Sequence, residues 1–191
     1  MVSADECGRS LRGTAALLNR RADGLAAFDL SERGFWRSFG AILLTLPAYV
    51  VALALARHRL GLDVGGAFLF ADPGLALRIA LEQVASFLAM PLAMIPLARR
   101  FGWSERYVPF VIVTNWIGVF GALLLALPGL LFLLGLETAG LTGLFTLVCL
   151  ALLLHVNWFA TKVALRTNGL AAAALTLLAL ALDLGIGAIF G

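Results

Sequence analysis

Charge is scarce in this chain. Of its 191 residues 13% are charged, and Lys162 is the sole lysine. A soluble domain carries about 25% charged and about 45–50% apolar residues. Here 62% are hydrophobic and the mean hydropathy is +1.00. One small globule cannot bury that much apolar surface, which excludes a soluble enzyme, a disordered tail and a collagen. Cysteine is scarce too. Cys7 lies in the polar N-terminus and Cys149 in an apolar run. That excludes a disulfide scaffold, and no bond between the two is expected. Histidine is limited to His58 and His155. They are expected at opposite membrane faces, so no shared metal site follows. Catalytic signatures are missing as well: no His-Glu-x-x-His, Gly-x-Ser-x-Gly, phosphate loop or Cys-x-x-Cys. No cofactor is expected. The basic residues lack interleaved aromatics, so nucleic acid is not an expected partner. The lipid bilayer is.

What is present is a series of long apolar runs. Length allows five or six spans of about 20 residues. The fold class expected is all-α, a polytopic transmembrane helical bundle. Five spans are expected, at 39–56, 73–98, 107–134, 139–161 and 170–190. Pro47 should kink the first. Asp72-Pro73 should cap the second. The third is longer than one bilayer, so it tilts, bends near Pro128 or protrudes. The 57–71 loop is the longest connection, and Phe68-Leu69-Phe70 makes it a candidate for dipping into the interface.

Residues 1–38 hold six arginines and no span. Leu11, Ala15, Leu18, Ala22 and Leu25 recur at helical spacing between charged residues. Two readings fit equally: a helix lying on the membrane surface, or a loosely ordered cytosolic tail. Ser31 is a second helix-start signal, followed by Phe35, Trp36 and Phe39 at headgroup level. Ser3-Ala4-Asp5-Glu6 precedes Cys7 without an apolar stretch. Neither a lipoprotein signal nor a cleaved secretory peptide is therefore expected, and the first span should act as the insertion signal.

Basic residues set the orientation. Eleven fall on one side, in the segments before span one, between spans two and three, and between spans four and five. Arg57 and Arg59 fall on the other, with Arg78 near the start of span two left out of the count. The N-terminus is thus expected in the cytoplasm and the C-terminus outside. Trp36, Trp103, Trp116 and Trp158 then all fall at or near the cytoplasmic interface.

Polar residues inside spans are costly and become the candidate functional groups. Arg78, Glu82 and Ser86 share one face of span two, with Gln83 beside them. Asp183 on span five shares a face with Thr176, Ala179 and Gly187. Glu82 and Asp183 lie at similar depth. An outer polar cluster of Arg78, Glu82, Gln83 and Asp183 is expected, serving as a solute or proton path or as a neutralised set that glues helices together. At the inner side Asn115, His155 and Asn157 form a second candidate group, a binding site or a hydrogen-bonded clamp between spans three and four. Asn115, Gly118, Ala122 and Ala126 make a small-residue face suited to close helix approach.

Phe28-Asp29-Leu30 and Gly34-Phe35-Trp36-Arg37-Ser38-Phe39 resemble segments of a group of small, uncharacterised bacterial inner-membrane proteins. Tyr107-Val108-Pro109-Phe110, followed by Asn115-Trp116, resembles the same group. The architecture, a cytosolic segment and then five spans, is similar to that of the Yip1 family. The resemblance implies a non-enzymatic membrane protein of accessory or organising type in the bacterial inner membrane, and it carries over no site residue. The alternative is a subunit of a small-solute or proton-linked transporter or channel that uses Arg78, Glu82 and Asp183. Either would work as a homo-oligomer or within a larger membrane complex.

Overall fold

The computed structural model describes residues 3–64, 71–136 and 138–190. Among these the chain is helical, with no strand. The helices are α1 (Ala4–Leu18), α2 (Glu32–Gly40), α3 (Leu46–Arg59), α4 (Pro73–Phe101), α5 (Tyr107–Leu133), α6 (Ala139–Leu165) and α7 (Gly169–Phe190). Short 3-10 turns occupy Ala22–Ala27, Ala41–Thr45 and Ser104–Arg106.

Five helical stretches are long and apolar enough to cross a membrane: Glu32–Arg59, Pro73–Phe101, Ser104–Leu133, Ala139–Leu165 and Gly169–Phe190. The chain is therefore a multi-pass membrane protein. α4 has 29 residues, about 44 Å at 1.5 Å per residue, against about 30 Å of hydrocarbon. The first stretch begins at Glu32 rather than near residue 39. The Ser31 hydroxyl accepts from the Gly34 amide at 3.1 Å and starts α2 outside the apolar run. The expected kink near Pro47 takes the form of the 3-10 turn Ala41–Thr45, with Pro47 in the first turn of α3. Proline lacks an N–H, so that first turn costs it no hydrogen bond, whereas Pro91 and Pro96 stand inside α4 and Pro128 inside α5. Asp72 caps α4 as its sequence suggested, accepting from the Leu75 amide at 3.0 Å. Gly102, at φ +73°, ends that helix. Phe68-Leu69-Phe70 lies outside the described residues, as does Glu137.

α4, α5, α6 and α7 form a ring. α5 packs mainly on α6, α6 on α7, α7 on α4, and α4 more lightly on α5. α3 lies outside the ring against α5 and α4, and α2 lies against α5. α1 crosses the end of the ring made by the start of α5 and the end of α6. There Leu17 and Phe28 are buried with Ile112, Val113, Trp116, Ile117, Val156 and Ala160. A second cluster at the same end joins Met94, Ala98, Phe110, Val111, Ala164, Leu165 and Leu175. One end of the bundle is thus tightly packed. Toward the other end, α6 and α7 expose most of their side chains.

Two expectations about faces change. Of the stripe expected on α1, Leu11 and Ala15 are exposed, while Leu18, with Leu25 beyond the helix, packs half-buried against the core. Leu11 is 52% exposed, and the buried positions are Glu6, Ser10, Gly13 and Leu17. Small residues at Gly13 and Gly24 allow this contact. A Cβ on Gly13 would stand 2.9 Å from the Gly24 carbonyl oxygen. Trp116 is also no interfacial anchor. It is 1% exposed, stacked on Phe120 in the core that α1 covers.

Candidate functional site: a cavity inside the four-helix ring

The loose end of the ring encloses a cavity of about 250 Å³. Each ring helix contributes polar groups to it. α4 gives Gln83 and Ser86, α5 gives Thr114 and Asn115, α6 gives Asn157 and Thr161, and α7 gives Thr176 and Asp183. Apolar groups such as Phe110, Leu153 and Leu180 complete the wall. The floor is closed, because Phe110, Asn115, Thr161 and Thr176 are all buried. The mouth is open, because Gln83 and Ser86 are half-buried and Asp183 is exposed. Its volume falls just below the roughly 300–1,000 Å³ of typical ligand pockets, and like them it combines apolar walls with a few placed polar groups.

The small residues explain why the helices leave this space. Gly118 and Ala122 line the cavity, and a Cβ on Gly118 would meet nothing within 4 Å. The face read as suited to close approach is therefore a lumen face. Close approach occurs one face away. A Cβ on Gly121 would stand 2.6 Å from Leu153 Cδ1, and one on Gly129 would collide with Leu55.

The sequence suggested two polar groups at opposite ends. Four of their members, Gln83, Asp183, Asn115 and Asn157, line this single cavity. The other three do not. Glu82 faces α7 at the mouth, its Oε1 3.6 Å from where a Gly187 Cβ would stand. Arg78 is exposed one turn further out and is engaged by a partner of its own. Ion pairs join Arg21 to Asp23 and Arg37 to Glu6 in the N-terminal segment. His155 lies on another face of α6, its ring 6.1 Å from that of Trp158.

The clamp expected between Asn115 and Asn157 does not form as a direct bond. Asn115 Nδ2 donates to Ser38 Oγ at 3.0 Å, tying α5 to α2. Asn157 Nδ2 donates to the Leu153 carbonyl at 2.9 Å, within its own helix. Trp158 does anchor a helix end, its Nε1 donating to the Gly169 carbonyl at 2.9 Å. Sequence reasoning gave no role to Thr114 and Thr161. Their signal was present: Thr114 precedes Asn115, and Thr161 lies four residues after Asn157, on the same helical face. Among the described residues no cluster of three or more metal-ligating side chains occurs. No protein-family model matches the chain, and neither a curated protein nor a solved structure matches it.

Proposed function

We propose that this is a non-enzymatic membrane protein that holds a small solute in the four-helix cavity, as a subunit of a transporter or channel. One observation carries the reading. Polar side chains from four membrane-spanning helices turn toward a shared cavity instead of sealing against one another. Polar groups kept as glue between helices would satisfy each other across a contact. Here Thr114, Asn157 and Thr176 are satisfied within their own helices, so their cavity-facing atoms are not needed for helix association. The basic-residue bias supports an orientation with the N-terminus in the cytoplasm and the C-terminus outside, in a bacterial inner membrane. In that orientation the mouth faces outward and the α1–α2 end faces the cytoplasm. With so few spans, the path would be completed within a homo-oligomer or a larger complex.

The accessory or organising reading draws on a different feature. α2 presents Trp36 at 66% exposure beside Arg33 and Arg37, a surface for headgroups or a partner protein.

Gly118→Leu separates the two. A Cβ at that position meets nothing within 4 Å and starts the new side chain into the cavity, so the fold should survive. Thermal unfolding of the purified protein in nanodiscs, scanned against a panel of small amines, acids and amides, should show stabilisation by at least one compound in the wild type. Gly118→Leu should show none. A compound that stabilises both equally would place binding elsewhere, and a silent wild type would favour the accessory role.

A further inference from the structure

Five helices, α1, α3, α4, α5 and α6, end in the same way. A residue past the helix takes a left-handed conformation, and the next amide donates to a carbonyl five residues back. Glycine suits that conformation because it has no Cβ. α3, α4 and α5 place Gly61, Gly102 and Gly135 there. α1 and α6 place arginines instead, Arg20 at φ +57° and Arg166 at φ +50°. Both arginines are exposed, so no packing in the core explains the choice. A strained backbone at two of five equivalent positions directs attention to what these side chains do.

α1 carries Arg20 to α6. Its guanidinium carbon stands 5.6 Å from the centre of the Trp158 ring, and the Lys162 ammonium stands 5.8 Å from the same ring. Trp158 spends its indole N–H on the Gly169 carbonyl at 2.9 Å. That bond fixes the ring at the turn between α6 and α7 and leaves its π system to the cations. Arg166 lies one turn beyond Lys162, just past the end of α6. Among the described residues none of these three cations pairs with a carboxylate. Asp23, the acid closest in sequence to Arg20, is held by Arg21 at 2.7 Å. Like charges gathered at one corner repel, and an anion placed among them removes that cost.

The surroundings identify the anion. Trp158 and Lys162 belong to the last turns of a membrane-spanning helix. Leu170, directly after the Gly169 that holds the ring, is 82% exposed, and Leu177 and Leu184 continue that exposed face of α7 at a spacing of seven. Cations and an indole thus stand at the rim of an apolar stripe, the arrangement that receives a headgroup above its acyl chains. Guanidinium and ammonium groups are both phosphate ligands. A net-negative headgroup matches three cations better than a zwitterionic one, whose own cation they repel. We propose that Arg20, Lys162 and Trp158 bind the phosphate of an anionic phospholipid, with Arg166 beside it and the acyl chains along the leucines of α7. None of these residues lines the cavity, so the site stands whether or not the cavity holds a solute.

Native mass spectrometry of the full chain in neutral detergent, titrated with phosphatidylglycerol, phosphatidylcholine or inorganic phosphate, reads the first bound molecule of each. Phosphatidylglycerol should bind at least tenfold more tightly than either of the others. Arg20→Gln combined with Lys162→Gln should weaken it at least tenfold. Arg99→Gln combined with Arg100→Gln removes the same charge from the same end of the bundle and should change it less than twofold. Arg20→Gly separates lipid binding from packing. It supplies the residue that the backbone favours, so thermal stability in neutral detergent should hold or rise while phosphatidylglycerol binding falls at least threefold. Equal losses in the two double variants would reduce the attraction to net charge and overturn the site. Phosphatidylcholine or inorganic phosphate binding as tightly as phosphatidylglycerol would overturn the anionic lipid as its ligand. Arg20→Gly that loses stability and keeps its lipid would make Arg20 a packing residue and overturn its role.

Discussion

Asn115 illustrates what a single polar residue does in an apolar bundle. It is 3% exposed, and an amide buried at that depth must find a partner. Its partner is Ser38, 77 positions away in sequence and on a helix that precedes the ring. The sequence marked Asn115 clearly, because an amide interrupts the run Phe110–Val113 and Ile117–Phe120. It could not mark Ser38, which reads as one more polar residue near a helix start. Asn115 thus bonds between helices, to Ser38 on α2 and not to the helix that carries His155 and Asn157. Ser38→Ala and Asn115→Leu should each lower stability by about 0.6 kcal/mol, up to about 1.7. A double-mutant cycle on urea or thermal unfolding in detergent should return a coupling of that size. Asn157→Leu combined with Asn115→Leu should instead be additive, because no direct bond joins them. A coupling between the two asparagines as large as that between Asn115 and Ser38 would restore the pairing read from sequence.

At the scale of elements, the segment before the first span is a headpiece folded onto the bundle. Its α1 is anchored by Leu17 and by a side-chain pair, Arg37 Nη1 to Glu6 Oε2 at 3.4 Å, with Glu6 itself buried. The hydrophobic periodicity of residues 11–25 was legible. The buried face was not, because Glu6, Ser10 and Gly13 carry little apolar signal. Packing there is set by how closely two backbones approach, which depends on glycine. α2 is entered through a tight turn for the same reason. A Cβ on Gly34 would collide with the Asp29 carbonyl oxygen. The Asp29 carboxylate accepts from the Ser31 amide at 3.1 Å. The Ser31 hydroxyl and amide hold its pKa below the ordinary value of 3.8. A carboxylate with a depressed folded-state pKa stabilises the folded form above its unfolded value, and that contribution is lost as pH falls through the folded one. Protection of the amides at 31–35, followed by hydrogen exchange and corrected for the intrinsic rate, should therefore decline below the ordinary carboxylate value. Asp29→Asn should lower protection at neutral pH and flatten the profile. An unchanged profile would remove Asp29 from the control of this joint.

At the scale of the whole molecule, five spans were legible because apolar runs longer than a bilayer admit few other structures. Which spans are neighbours was not, since all five are apolar nearly all round. That is why Gln83 and Asp183 were separated from Asn115 and Asn157 until α4, α5, α6 and α7 were seen to close a ring. Orientation is a separate matter, set by the charge outside the spans. Eleven basic residues lie at the end of the bundle that α1 covers, against Arg57 and Arg59 on the opposite side of span one. A reporter fused after Arg166 should accordingly read as cytoplasmic, and one fused after Gly191 as periplasmic. The two fusions flank α7 alone, so they also test whether that helix spans. The swapped pattern, periplasmic after Arg166 and cytoplasmic after Gly191, would reverse the direction in which the cavity opens. It would require an additional membrane segment, for which Phe68-Leu69-Phe70 is the candidate by hydropathy. The expected pattern would put Asp183 in the outer half of α7, where a solute arriving from outside meets the mouth that it forms with Gln83 and Ser86.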